Sequence, residues 1–129
     1  MSRRTAVDGR KFVTLVRSAR DVRSARASVR DVCRMHHIGD DRCADAQLAV
    51  SELLGNALRH GREPIDFDVR CSQGHVLLTV EDGSSAVPRP RPELEMSQES
   101  GRGMLLVESV SDRWGYEPTA RGKRVWALV

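Results

Sequence analysis

The spacing of apolar residues changes period once along this chain, near Gly61, and that change decides which folds are open to it. From Ser18 to about Met35, Val22, Ala25, Val29 and Val32 recur at three- and four-residue steps, the stripe of an amphipathic helix. Ile38-Gly39-Asp40-Asp41 interrupts the pattern, the glycine expected to end one helix and an aspartate to cap the next. A second helix is predicted from about Arg42 to His60, burying Ala46, Ala49, Val50, Leu53 and Ala57 and stopping at Gly61. Beyond it the period is 2. Ile65 to Cys71 alternates, Ser72-Gln73-Gly74 reads as a hairpin turn, and His75 to Val80 is a more apolar returning strand, expected to be central. Such a chain is expected to form an α/β two-layer sandwich, with helices on one face of a mixed, mostly antiparallel sheet.

The flanking segments fit the same plan. Residues 11–16 (KFVTLV) predict a short first strand. Residues 83–100 carry Pro88, Pro90 and Pro92 among serines, arginines and glutamates, which is loop composition. A loop of that length inside a compact domain is more often functional than not. Met104 to Val110 predicts a short helix behind Gly101-Arg102-Gly103. Two closing strands follow, near Asp112 to Glu117 and Lys123 to Val129, joined by a turn over Pro118 to Gly122. No repeat or linker divides the chain, so residues 1–129 are read as one domain, long enough to bury its own core.

Composition excludes several classes. With 40% hydrophobic residues and a net charge of +3 the chain is not of the disordered type. No apolar run approaches the roughly 18 residues of a membrane span, and no signal peptide is recognised, so a cytoplasmic protein without membrane contact is expected. Three cysteines, Cys33, Cys43 and Cys71, without a C-x-x-C, predict neither a disulfide framework nor a zinc site. His36 and His37 read as the end of the first helix. Arg23, Arg26, Arg30 and Arg34 form a second stripe beside the apolar one, read as a solvated face. The 18 acidic residues offset 21 basic ones, so whole-chain charge does not decide for or against nucleic acid.

Three constellations could carry chemistry. Glu52, Asn56 and His60 lie four apart and Arg59 three after Asn56, which puts all four on one helical face. A carboxylate and a carboxamide one turn apart suit a hydrated magnesium ion, Asn56 binding directly and Glu52 orienting or deprotonating a nucleophile; an ordinary solvated face is the alternative. Asp82-Gly83-Ser84 closes the apolar strand with a carboxylate able to accept from an exocyclic amine, or simply begins an Asp-Gly turn. Gly101 and Gly103 at a helix start allow backbone N–H groups to approach an anion, or form a glycine-rich entry to a buried helix. No P-loop pattern occurs.

In this order the three resemble the GHKL (Bergerat-fold) ATPases, and within them the anti-sigma-factor serine kinases of the RsbW and SpoIIAB type, above all the small actinobacterial versions. The stretches that carry the likeness are SELLGNALRHG, LTVEDGSSAVPRPRP, and ESGRGMLLVESVSDRWGYEP with GKRVWALV, from about Arg17 to Val129. The resemblance implies a Mg²⁺-binding asparagine at Asn56, a general base at Glu52 and an adenine-reading aspartate at Asp82. It further implies nucleotide contacts from Arg59 and Ser84, a phosphate loop at Gly101, Arg102 and Gly103 with Met104 just inside the following helix, and a lid over about residues 83–100. ATP and Mg²⁺ are the implied cofactors. The implied partners are a sigma factor, an anti-anti-sigma (STAS-domain) protein phosphorylated on serine or threonine, and a second copy of the chain, with no direct nucleic-acid contact.

Two positions depart from the family pattern. Ser84 stands where the wider superfamily has the glycine of Asp-x-Gly, and Arg124 where the family often has a threonine that supports the adenine contact. Weaker nucleotide affinity or base selectivity is the expected result of the second. Two competing functions remain: a module of the same fold that binds nucleotide or sequesters a sigma factor without catalysis, and a helix-turn-helix DNA binder built from the first two helices. Against DNA, Glu52 would set a carboxylate beside phosphate.

Overall fold

The computed structural model describes residues 10–13, 16–86 and 99–129, with side chains for 16–86 and 103–129. Eight elements follow in order: β1 (Arg10–Val13), α1 (Ala19–Met35), α2 (Asp40–His60), β2 (Asp66–Ser72), β3 (His75–Asp82), α3 (Glu99–Val110), β4 (Arg113–Pro118) and β5 (Lys123–Leu128). Residues 14 and 15 of the expected first strand, and 87–98 of the expected lid, lie outside the described residues.

In α1 the predicted stripe is the buried one: Ala25, Val29 and Val32 are inaccessible, and Ser28 and Cys33 join them. Ser28 Oγ donates to the Ser24 carbonyl at 3.1 Å, which satisfies the hydroxyl inside the packed face. Arg23, Arg26, Arg30 and Arg34 are all exposed. Asp21, in the first turn, accepts from the Arg17 backbone N–H at 2.8 Å, whereas Ser18 at the N-cap makes no side-chain cap.

The turn into α2 differs from expectation. His36 is the C-cap of α1, and His37, not Gly39, takes the left-handed conformation at φ 57°. Histidine is among the residues that visit this region more readily than most. Gly39 is the N-cap of α2, so Asp40 and Asp41 fall inside the first turn. There their charge complements the helix dipole instead of capping.

The sheet order is β1-β2-β3-β5-β4, every described pairing antiparallel, with β3 central as its apolar character required. The β2–β3 hairpin closes at the Ser72–His75 pair, with Gln73 at φ 51° and Gly74 at φ 80°. Two left-handed residues give the turn a twist that matches the strands it joins. Alternation on β3 sends Val76, Leu78, Val80 and Asp82 to the helix-covered face. Leu77, Thr79 and Glu81 go to the other face, together with Trp126 and Leu128 of β5. On the covered side α2 is the middle helix, packed against α1, α3 and β3. Phe67, Leu54, Ile65, Leu78 and Met104 are the largest fully buried side chains there.

Helix α3 starts five residues earlier than expected, so Gly101 and Gly103 belong to it and do not form a loop in front of it. Each glycine costs a helix only about 1 kcal/mol relative to alanine. Burial of Met104 and Val107 against the core offsets that cost. Among the described residues, no helix is long and apolar enough to cross a membrane.

The three cysteines, far apart in sequence, are brought together as free thiols where α1, α2 and β2 meet. Burial, a hydrogen bond with Cys43 and the nearness of Cys43 and Cys71 push the Cys33 thiol up to about 12. A thiol whose pKa rises on folding stabilises the native state fully below its ordinary value of 9.0, and that contribution is lost as pH climbs from there towards 12. Urea denaturation is therefore expected to show stability falling above pH 9, with a shallower fall in Cys33→Ala. Iodoacetamide at pH 8 should modify Cys33 no faster than the chain globally unfolds.

Candidate functional site

The phase of α2 sets the site. Val50, Leu53, Leu54 and Ala57 face the core, which turns Glu52 and Asn56 to a half-buried flank and leaves Arg59 and His60 exposed. Helix α3 crosses that flank at Gly103. A Cβ at position 103 would lie 3.0 Å from Glu52 Oε1 and 3.5 Å from Asn56 Oδ1. A Cβ there would press on the end of the Glu52 side chain, so glycine lets the α3 backbone approach both polar groups without displacing it. Arg59 Nη2 donates to Asn56 Oδ1 at 3.4 Å, and an amide oxygen has a second lone pair for another partner.

Glu52 and Asn56 thus offer two oxygen donors one helical turn apart, beside the Gly103 backbone. Among the described residues no group of three or more histidines, cysteines or carboxylates could hold a metal by itself. A cation here must complete its shell with water and ligand oxygens, which is the habit of Mg²⁺ with phosphates. The donor set fits that ion.

The second cluster forms where β3 ends. Asp82 is only 2% exposed. Its Oδ1 accepts from the Ser84 backbone N–H at 2.6 Å and from Lys123 Nζ at 3.2 Å, and its Oδ2 lies 3.0 Å from the same ammonium. Lys123 sits directly opposite Asp82 on β5 and also donates to the Ser84 carbonyl at 3.4 Å. Ser84 Oγ accepts from the Ala86 N–H at 3.1 Å, so this side chain shapes the loop. A Cβ on Gly61, at the end of α2, would lie 2.7 Å from Asp82 Oδ2, and Gly83 N–H donates to the Arg62 carbonyl at 2.7 Å. The C-terminal end of α2 therefore touches the end of β3, which brings the two clusters to the same end of the domain.

Arg124 does not stand against Asp82. Its register partner is Glu81, on the opposite face of the sheet from Asp82. Its guanidinium donates to Glu117 Oε1 at 2.8 Å and lies 3.7 Å from Glu81, and Glu117 foremost raises its pKa. The residue that stands against Asp82 is Lys123. Sequence reasoning missed it although a signal exists: Lys123 is in phase with the buried Val125, Ala127 and Val129, and Arg124 is not.

The remaining expected residues fall as follows. Gly101 and Arg102 are in the first turn of α3 as backbone; their side-chain surroundings lie outside the described residues. Met104 is 1% exposed and packs into the core, anchoring α3 one residue beyond its closest approach to Glu52. Glu52, Asn56, Arg59 and Gly103 form one group and Asp82, Ser84 and Lys123 the other. Over residues 15–128 the chain matches the family model described as a histidine kinase-like ATPase domain. No curated protein shows a significant match.

Proposed function

Because the chain belongs to the family of histidine kinase-like ATPase domains, we propose that it is an ATP-dependent serine/threonine protein kinase of anti-sigma-factor type. Its substrate in this reading is a small STAS-domain antagonist, and its second partner a sigma factor in the cytoplasm. The observation that carries the reading is the convergence of Glu52 and Asn56 on the bare backbone of Gly103.

Asn56 would supply a protein oxygen to Mg²⁺, which when bound would neutralise phosphate charge. The first turn of α3, with N–H groups unspent within the helix, serves the phosphates. Asp82 accepts from the exocyclic amine of adenine. Glu52 takes the proton of the incoming hydroxyl as its oxygen bonds to the γ-phosphorus and the bond to the bridging oxygen breaks, leaving ADP.

Isothermal titration tests the binding half. Wild type should bind ATP more tightly with Mg²⁺ than without it. Asn56→Ala should lose about 10- to 100-fold of the Mg²⁺-supported affinity, the scale of one hydrogen-bonded or ligating contact to a charged group, with an unchanged circular dichroism spectrum. Absence of nucleotide binding at high micromolar concentrations would overturn the kinase reading.

A module that binds partners without phosphoryl transfer is the second reading. It is favoured by the way Arg59 and Lys123 already partner Asn56 and Asp82 within the chain. A transfer assay with a STAS protein separates the two. Self-association has support in the uncovered sheet face, where Leu77, Trp126 and Leu128 lie between Arg70 and Arg113 at one end and Asp66, Asp68 and Glu117 at the other. A copy related by a two-fold axis running across the strands would oppose unlike charges. The packing of α2 between α1 and α3 supports a reading without direct DNA contact, since a recognition helix must stand clear of its own domain.

A further inference from the structure

Cys33, Cys43 and Cys71 have no part in nucleotide binding or phosphoryl transfer, yet the fold gathers them at one place. We propose that Cys43 is a peroxide-sensitive thiol and that Cys33 resolves its oxidised form, so that oxidation links α1 to α2 by a disulfide. This goes beyond the proposed function and holds whether or not the domain takes a nucleotide.

The turn between the helices sets the two sulfurs against each other. Cys33 stands five residues before Ile38, in the last turn of α1, and Cys43 five after it, in the first turn of α2. Ile38 N–H donates to the Cys33 carbonyl and Cys43 N–H to the Gly39 carbonyl, each at 2.9 Å, which fixes the backbone on both sides. Ile38 and Cys43 both pack against the core cluster that contains Cys33. Across the turn the Cys33 and Cys43 thiols hydrogen-bond to each other. Gln47 Nε2 donates to Cys43 Sγ at 3.3 Å and holds that side chain from within α2. Cys71 Sγ has a partner of another kind, the Val32 carbonyl at 3.9 Å.

Exposure divides the roles. Cys33 is 1% exposed and Cys71 8%, whereas Cys43 is half-buried, so dissolved peroxide reaches Cys43 first. The Cys43 sulfur attacks one oxygen of hydrogen peroxide, the O–O bond breaks, and the thiol proton leaves with the other oxygen as water. A sulfenic acid remains on Cys43. The Cys33 sulfur then attacks the Cys43 sulfur, the S–O bond breaks, and the Cys33 proton leaves with the hydroxide as a second water. Two thiols are thus oxidised to one disulfide while one peroxide is reduced to two waters. Burial keeps Cys33 protonated, which makes the second step the slower one. The contact already made between the sulfurs offsets this, since only closure to a bond of about 2.05 Å is left.

Peptide mapping of the reduced protein after treatment with hydrogen peroxide tests this. Trypsin cuts after Arg34 and Arg42, between the two cysteines, so the disulfide appears as peptide 31–34 joined to peptide 43–59. Dithiothreitol should release the pair, and Cys71 should stay free for alkylation throughout. With dimedone present, Cys33→Ser should lose the joined peptides and carry the label on Cys43. Cys43→Ser should leave Cys33 reduced at the same peroxide dose. A bond from Cys43 to Cys71 or to a second chain would overturn the inference. So would a Cys43 still reduced at a dose that oxidises Met35, the most exposed of the large apolar side chains. The wild-type map is decisive even where a variant does not fold.

Discussion

Glu52→Gln is expected to slow phosphoryl transfer to the partner protein by about 10²- to 10⁴-fold, the range for loss of a positioned general base. Affinity for ATP with Mg²⁺ should stay close to that of wild type. Glutamine keeps the size of the side chain that Gly103 approaches and keeps an oxygen for water or cation, but its amide cannot take the proton of the attacking hydroxyl. The split between rate and affinity is the informative part. Loss of transfer at unchanged affinity marks an interaction made only in the transition state. Quench-flow measurement of phosphorylated product, beside titration of nucleotide binding, reads both. A Gln variant that transfers phosphate at the wild-type rate would remove Glu52 from the reaction.

Asp82→Ala is expected to destabilise the domain by about 3–5 kcal/mol, the cost of breaking a buried ion pair from one side. Lys123, with only 11% of its side chain exposed, would be left as an ammonium without its carboxylate, facing the Ser84 carbonyl alone. The double variant Asp82→Ala, Lys123→Met should recover most of the loss, since removing both charges restores an apolar environment that needs no pairing. Urea denaturation of the single and double variants measures this coupling. A single variant losing less than about 1 kcal/mol would mean that the ammonium escapes to water. Residue 82 is thus a structural carboxylate, and nucleotide affinities of its variants must be compared at matched folded fraction.

Much of this architecture follows from local pattern. The switch of period at Gly61 separates α2 from β2, and the stripe Ala25, Val29, Val32 and the set Ala46, Ala49, Val50, Leu53, Ala57 are buried as their spacing demands. Local pattern fails where tertiary packing outweighs propensity. Glycines at 101 and 103 suggest a loop, yet the burial of Met104 and Val107 and the closeness of Gly103 to Glu52 and Asn56 draw them into α3. Gly39 suggests a helix stop, yet His37 takes the left-handed position and Gly39 begins the next helix.

The sequence by itself determined the helical face that joins Glu52, Asn56 and Arg59, because residues three and four apart on a helix are neighbours whatever surrounds them. It determined a strand ending in Asp82, because alternation is local to the backbone. The tertiary structure alone decided what those groups meet. Gly103 lies 47 residues beyond Asn56 and 51 beyond Glu52 and reaches them only because α3 packs on α2. Lys123 lies 41 residues beyond Asp82 and reaches it only through the β3–β5 register, in which a slip of one residue would bring Arg124 there and turn Lys123 away. Cys33, Cys43 and Cys71 meet only because α1 packs both on α2 and on β2. Local periodicity arises from bonded geometry, whereas long-range juxtaposition comes from how whole apolar faces bury one another, and no short stretch of sequence encodes it.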